Sequence, residues 1–240
     1  MVMLKGAMNR LLRVSCLAAT ALLVAVAAAA NAADTARPRD RNILWKIVSA
    51  CVGPEDADYC QRCISPRAGS ACAEKQRCEH TTDVWEASDE FIAMRDIKMC
   101  SCPAGFVHGL VVPRAAVRGI EAPQLPQRIW SFAWAVARRK IDDAAAIALV
   151  VNSARQRSQD QLHVHLLRLR SDARQNLSGR MVSILRLEDV WSVVSGLAAS
   201  SPPLDDYSVL VASDLKGGYM VVIDGNERNL ERSMTHRTCE

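Results

Sequence analysis

A glutamine and two histidines recur at every second position in Gln161-Leu162-His163-Val164-His165-Leu166. On an extended chain this spacing sends Gln161, His163 and His165 to one side and Leu162, Val164 and Leu166 to the other. The apolar set faces a core and leaves the polar row at successive same-face positions about 7 Å apart. Just upstream, Asn152 to Asp160 form a polar loop with no apolar residue larger than alanine, which offers Arg155, Arg157, Ser158 and Gln159. Such a surface suits an anionic group. A neutral imidazole is nucleophilic near pH 7 and can displace one phosphoryl group of a diphosphate, giving a phosphoramidate that water then opens. Arginines, backbone amides and a polar side chain beside the nucleophile would neutralise the equatorial oxygens during in-line displacement. For His163 to attack through one ring nitrogen, the other should donate its hydrogen to a carbonyl and so fix the tautomer. Spacing alone leaves two other readings open, because paired strand histidines also line solvated faces or bind metals.

The row needs neighbouring strands. Ala145 to Val151 is a continuous apolar run in which Ile147, Val150 and Val151 favour a strand, leaving Asn152 either to orient a phosphate or ribose or to end that strand. Phe91 to Arg95 reads as a short strand, and Phe106 to Val112 as a firmer one closed by Pro113, which cannot donate to a central ladder. Tyr207 to Ala212 and Tyr219 to Ile223 read as two closing strands, with Gly217-Gly218 supplying the hairpin turn. Helical spacing of Ile43, Leu44, Ile47 and Val48 predicts a first helix that ends before Gly53-Pro54. Leu125, Ile129, Phe132, Ala133 and Val136 predict a second helix of about four turns, its C-terminal dipole end complemented by Arg138-Arg139-Lys140. Trp130 and Trp134 widen its stripe, as core or as a lipid-contacting face. A further helix is expected around Asp172 to Arg180, then a second apolar stretch from Val182 to Leu197.

The chain of 240 residues, half of them apolar, accommodates one globular domain with a real core and argues against disorder. Residues 1–33 read as a Sec-type leader: Lys5, Arg10 and Arg13 precede an apolar run that ends in Asn31-Ala32-Ala33. Cleavage would free a mature chain, whereas retention would leave an anchor of about the minimum spanning length. Residues 34–42 form a polar linker and 43–240 a single domain, with 51–102 as its disulfide-rich portion. The net charge of +4 sits mostly in the leader, so no nucleic-acid footprint follows. Of nine cysteines, the eight beyond Cys16 suggest disulfides in an oxidising compartment. Cys60-x-x-Cys63 with Cys72, Cys78 and His80 offers structural zinc as a rival. Connectivity is not legible, although Cys51 and Cys239 could join the two ends of the domain.

The stretch Gln161 to Leu167 resembles the histidine-triad signature His-φ-His-φ-His-φ-φ, with glutamine at its first position. Asn152-Ser153, the basic loop, Gln159-Asp160-Gln161, His163-Val164-His165, Arg170, Asp172 and Arg174 resemble the signature block of the CDP-diacylglycerol pyrophosphatase family. The resemblance implies an α+β, HIT-like fold, an antiparallel sheet with packed helices, to which the cysteine-rich N-terminal excursion adds. It implies hydrolysis of CDP-diacylglycerol to CMP and phosphatidate through a cytidylyl adduct on His163, with His165 at the phosphate or leaving group. Gln161 can donate a hydrogen bond there but cannot carry a proton. His108 falls where HIT-like proteins often have a nucleoside-side strand, as a substrate contact or a structural histidine. Expected partners are CDP-diacylglycerol or a related nucleotide diphosphate and a membrane surface or anchor, with no cofactor, metal or nucleic acid. The expected location is the periplasm or the periplasmic face of the inner membrane. The alternatives are an exported hydrolase of soluble nucleotide sugars or dinucleotides, and a metal-binding protein without turnover that uses His163, His165 and cysteines.

Overall fold

Most of the chain's extended segments are short apolar runs buried on both faces, and these pair side by side into one antiparallel sheet. The computed structural model describes residues 40–53, 55–59, 83–99, 102–225 and 229–239, and residues Arg41–Glu240 belong to one compact unit. In chain order the elements are α1 (Ile43–Ala50), β1 (Val84–Ala87), β2 (Phe91–Arg95), β3 (His108–Pro113), α2 (Ile129–Lys140), β4 (Ile147–Val151), β5 (Val164–Arg168), β6 (Arg180–Ile184), α3 (Val190–Ala199), β7 (Ser208–Ser213), β8 (Tyr219–Asp224) and α4 (Leu230–Met234). The sheet order is β1-β2-β3-β5-β4-β7-β8-β6, with every pairing antiparallel. The architecture is therefore α+β.

The pleat sorts side chains into two layers. On one face Ala93, Val111, Val164, Leu166, Leu149, Val151, Val209, Val211, Val221 and Ile223 form one continuous core with Ile129, Trp130, Ala133 and Val136 of α2 and Val190, Trp191 and Val194 of α3. Trp130 is fully buried, with its ring 4.9 Å from that of Trp191, so this tryptophan is core and not a lipid-facing residue. The other face carries two separate apolar clusters. Ile92, Met94, Leu110 and Val112 pack under Leu44, Ile47 and Val48 of α1. Ala148, Val150, Leu167, Leu210 and Val222 pack under Leu230 and Met234 of α4. Between the two clusters the same face presents polar side chains.

Several boundaries differ from the sequence reading. The second helix starts at Ile129 rather than Leu125, because Pro123 and Pro126 keep the preceding segment out of helical backbone. No helix spans Asp172 to Arg180: a single 3-10 turn (Ala173–Gln175) leads to Gly179 at φ 108°, and β6 follows. Val182 to Leu197 divides into the exposed edge strand β6 and helix α3, with Leu185 fully at the surface between them. β1 lies within the stretch read as the disulfide-rich portion, and its Trp85 lies over Gly109, where an added Cβ would meet the indole at 2.2 Å. The hairpin turn at Gly217-Gly218 matches the sequence, both residues adopting positive φ.

Cys239 joins Cys102, not Cys51, and Cys51 belongs to another disulfide. The C-terminal tail runs along β5, where Leu169 bridges Thr235 and Arg170 N–H donates to the Met234 carbonyl, which brings Cys239 to the start of β3 rather than to α1. The leader, the linker up to residue 39, and Cys60, Cys63, Cys72, Cys78, His80 and Cys100 lie outside the described residues. Among the described residues no helix is long and apolar enough to cross a membrane.

Candidate active site

Strand register places the polar gap. Leu110 of β3 and Val150 of β4 both pair with His165 of β5, so His108, Leu110, Val150, Asn152 and His165 point to one face of the sheet. Met94 pairs with Leu110, which sends Asp96, two residues on, to that face as well. Helix α1 closes one side of the gap. From the other side α4 delivers Glu231, a buried carboxylate 3% exposed. His163 precedes the first residue of β5 and lines a cleft of about 240 Å³ with His165, Ser158, Gln159, Asp96, Lys98 and Arg95. Ile43, Leu44, Ile47, Tyr59, Met94 and Leu110 form the apolar wall of the same cleft.

Hydrogen bonds define the tautomers. The Gln161 carbonyl oxygen lies 2.8 Å from His163 Nδ1. A carbonyl only accepts, so Nδ1 carries the hydrogen and Nε2 keeps its lone pair, as nucleophilic attack requires. The Arg237 carbonyl, 3.2 Å from His108 Nδ1, fixes that ring in the same way. His108 Nε2 is then an acceptor, and His165 Nδ1–H donates to it at 3.1 Å. His165 Nε2 in turn accepts from Asn152 Nδ2 at 3.3 Å, while the other N–H of that amide donates to Glu231 Oε2 at 2.6 Å. Both amide hydrogens of Asn152 therefore serve the cluster, and its orientation follows from the carboxylate it faces.

Burial pushes His163 and His108 below their ordinary value of 6.5 and His165 well below it, so all three rings are neutral at pH 7. The Glu231 carboxyl goes the other way. Burial alone would raise it, but the Lys98 ammonium and the hydrogen bonds from Lys98 and Asn152 outweigh that and hold it far below the usual carboxylate range. Lys98 Nζ lies 2.7 Å from Glu231 Oε1, and Arg237 Nε 3.1 Å from the same oxygen.

The sequence-expected residues divide. His163, His165, His108, Asn152, Ser158 and Gln159 converge on the gap. Gln159 also accepts the Leu44 N–H at the start of α1, which ties the polar loop to the apolar wall. Gln161 turns to backbone: its Nε2 donates to the carbonyls of Pro113 and Ala115, and its Oε1 accepts from Val117 N–H. It is a strut that sets where His163 begins. The two loop arginines leave the cleft. Arg155 is 82% exposed beside Asp206, and Arg157 is buried with its guanidinium on Glu121. The cations in the cleft wall are instead Arg95 and Lys98. Asp96, Lys98 and Glu231 were not singled out from sequence, since Asp96 and Lys98 follow a short strand without a motif and Glu231 sits in a five-residue helix near the C-terminus.

Asp96, His108 and His165 bring one ligand atom each within 4.8 Å of one another, an arrangement that could hold a divalent ion such as zinc. His108 and His165 also belong to the hydrogen-bond chain, while Asp96 Oδ2 stands 3.5 Å from His108 Nε2 outside it.

A family model described as CDP-diacylglycerol pyrophosphatase matches residues 39–197, well over half of the chain. No curated protein matches it.

Proposed function

Since the chain belongs to the CDP-diacylglycerol pyrophosphatase family, a family of hydrolases, we propose that it cleaves CDP-diacylglycerol with His163 as the nucleophile on a HIT-like sheet. The observation that carries the reading is the 2.8 Å contact between His163 Nδ1 and the Gln161 carbonyl, which leaves Nε2 unprotonated at the cleft. In the first step Nε2 attacks the cytidylyl phosphorus. An N–P bond forms, the P–O bond to the phosphatidate phosphate breaks, and its electron pair leaves with the phosphatidate oxygen. In the second step a water oxygen attacks the same phosphorus, its proton passes to solvent, the N–P electron pair returns to Nε2, and CMP departs. Throughout, Nδ1–H keeps donating to the Gln161 carbonyl, which stabilises the ring while it carries positive charge.

His165 is a positioning residue in this reading: both of its ring nitrogens are held by His108 and Asn152, and its ring packs against that of His163 at 4.9 Å. Ser158 and Gln159 supply polar groups at the cleft rim, and Gln161 acts through His163. The cleft volume suits a diphosphate with part of its flanking groups. Ile43, Leu44 and Ile47 of the apolar wall come from α1, the first described helix after the apolar leader. That order supports entry of the glycerolipid from the α1 side, with the protein exported and held at a membrane surface or anchored there.

The test is a substrate panel. The protein should release CMP from CDP-diacylglycerol in mixed micelles far faster than it hydrolyses UDP-glucose or diadenosine polyphosphate. Equal rates on all three would contradict the lipid assignment and favour a soluble nucleotide substrate.

A further inference from the structure

The cleft must meet a diphosphate, yet the loop expected to supply its cations points them elsewhere. The charge on the cleft side comes from a different place. Arg95, Asp96 and Lys98 follow one another at the end of β2, and Glu231 and Arg237 arrive from the C-terminal segment. Among the described residues the cluster holds three cations, Arg95, Lys98 and Arg237, and two carboxylates, Asp96 and Glu231, next to neutral histidines. Lys98 lines the cleft together with His163 and His165, and its side chain is 27% exposed, so a ligand can reach it. Its ammonium rests on Glu231 Oε1 at 2.7 Å.

The Lys98 backbone is held from several sides. Its N–H donates to Asp96 Oδ1 at 2.8 Å, and the turn closes through Met99 N–H to the Asp96 carbonyl. Arg95 donates to the Met99 carbonyl at 2.9 Å. Three residues beyond Met99, Cys102 is bonded to Cys239, which ties this turn covalently to the tail that carries Glu231. A half-buried ion pair contributes little to stability once both charges are desolvated, so stability alone does not account for this much support. A cation fixed in advance beside the site of charge development is what phosphoryl transfer uses.

We propose that Lys98 is the ammonium that binds the diphosphate of the substrate, and that Glu231, which lies beyond the family-matched residues 39–197, is the positioning residue that holds it over His163 and His165. This rests on the reaction proposed above. On binding, Lys98 keeps one N–H on Glu231 and turns its other two toward the phosphoryl oxygens. Glu231 also fixes Asn152 through Oε2, so one carboxylate sets both the cation and the amide that orients His165.

The experiment compares wild type, Lys98→Met, Lys98→Arg, Glu231→Gln and the double variant Lys98→Met/Glu231→Gln, full length, on CDP-diacylglycerol in mixed micelles. Wild-type CMP release is the control for the reaction itself, and its absence would sink the function and this inference together. With that control positive, Lys98→Met should lower kcat/KM by about 10²–10³-fold, the loss typical of one donor removed from developing phosphoryl charge. Inhibition by inorganic pyrophosphate should weaken in parallel, and Lys98→Arg should recover most of both, because it keeps the charge. Adding Glu231→Gln to Lys98→Met should cost at least tenfold less than adding it to wild type, roughly 1.4 kcal/mol of coupling. Wild-type kcat/KM and pyrophosphate inhibition in Lys98→Met would overturn the role of Lys98. Effects that simply multiply in the double variant would overturn the role of Glu231.

Discussion

The two faces of the sheet are built to different rules. Under α2 and α3 the apolar layer runs from β2 to β8 without a polar interruption. Under α1 and α4 it is split, and the gap holds His108, Asn152, His165 and Glu231, all nearly inaccessible to water. Burying that many polar groups is costly unless each finds a partner. Here the ring nitrogens and the Asn152 amide N–H groups partner one another in a chain from the Arg237 carbonyl to Glu231, while Asn152 Oδ1 has no hydrogen-bond partner among the described residues. The continuous face is one apolar core, and the split face holds neutral imidazoles beside a charged pair.

Substitutions on the two faces should therefore separate activity from stability. The largest effect is expected at His163: His163→Ala should lower CMP release by at least about 10⁴-fold and leave the melting temperature within a few degrees. A loss below tenfold would break the comparison, because the split face would then have no chemical purpose. On the continuous face, Leu166 is fully buried. Leu166→Ala should cost about 2–5 kcal/mol in urea unfolding, with kcat of the folded fraction near wild type.

Removing the disulfide should touch both properties. Cys102→Ser with Cys239→Ser frees the tail that brings Glu231 and the Arg237 carbonyl to the histidines. It should cost about 2–5 kcal/mol and lower kcat/KM, whereas lost stability with intact kcat/KM would detach the tail from the site.

Acid sharpens the contrast further. His108, His163 and His165 have folded values lowered by burial, so the unfolded chain takes up their protons first as pH falls. Their contribution to stability is complete above the unfolded value of 6.5 and is lost as pH drops through the lowered folded values. Every tenfold by which folding weakens a ring's hold on its proton corresponds to about 1.4 kcal/mol. Urea midpoints should hold level from pH 7.5 to about 6.5 and fall from there toward pH 5, and a flat profile throughout would mean that the rings are not buried and neutral. The smallest effect is expected at Arg155, exposed beside Asp206. Arg155→Ala should keep kcat/KM within about fivefold of wild type, and a larger loss would return that loop to the substrate.

Much of the split face was legible because strand alternation is a local property. His163-Val164-His165 and the flanking apolar residues announced a strand with one polar side, and the tautomer expected of His163 is the one its contact to Gln161 imposes. The partners of that strand were not legible. Asp96, Lys98 and Glu231 reach the histidines through sheet order and tail docking, which set Lys98 against Glu231 across 133 positions of sequence. Gln161 shows a limit of pattern reading. Its place in the row suggested a polar group at the substrate, yet the ladder begins only at Val164, and its amide turns to three backbone groups instead. Arg157 matched the expected charge, but Glu121 and the turn at Gly119 take it away from the cleft. The region from Asp172 to Arg180 misled because helical composition yielded to the left-handed backbone at Gly179.

The most direct measurement is to mix the protein with CDP-diacylglycerol for less than one turnover, quench under alkaline conditions that preserve phosphoramidates, and map the peptides by mass. A cytidylyl group on the peptide containing His163, absent after His163→Ala and lost on acid treatment, is the expected result. Rapid CMP release with no adduct at any time point, undiminished in His163→Ala, would contradict it.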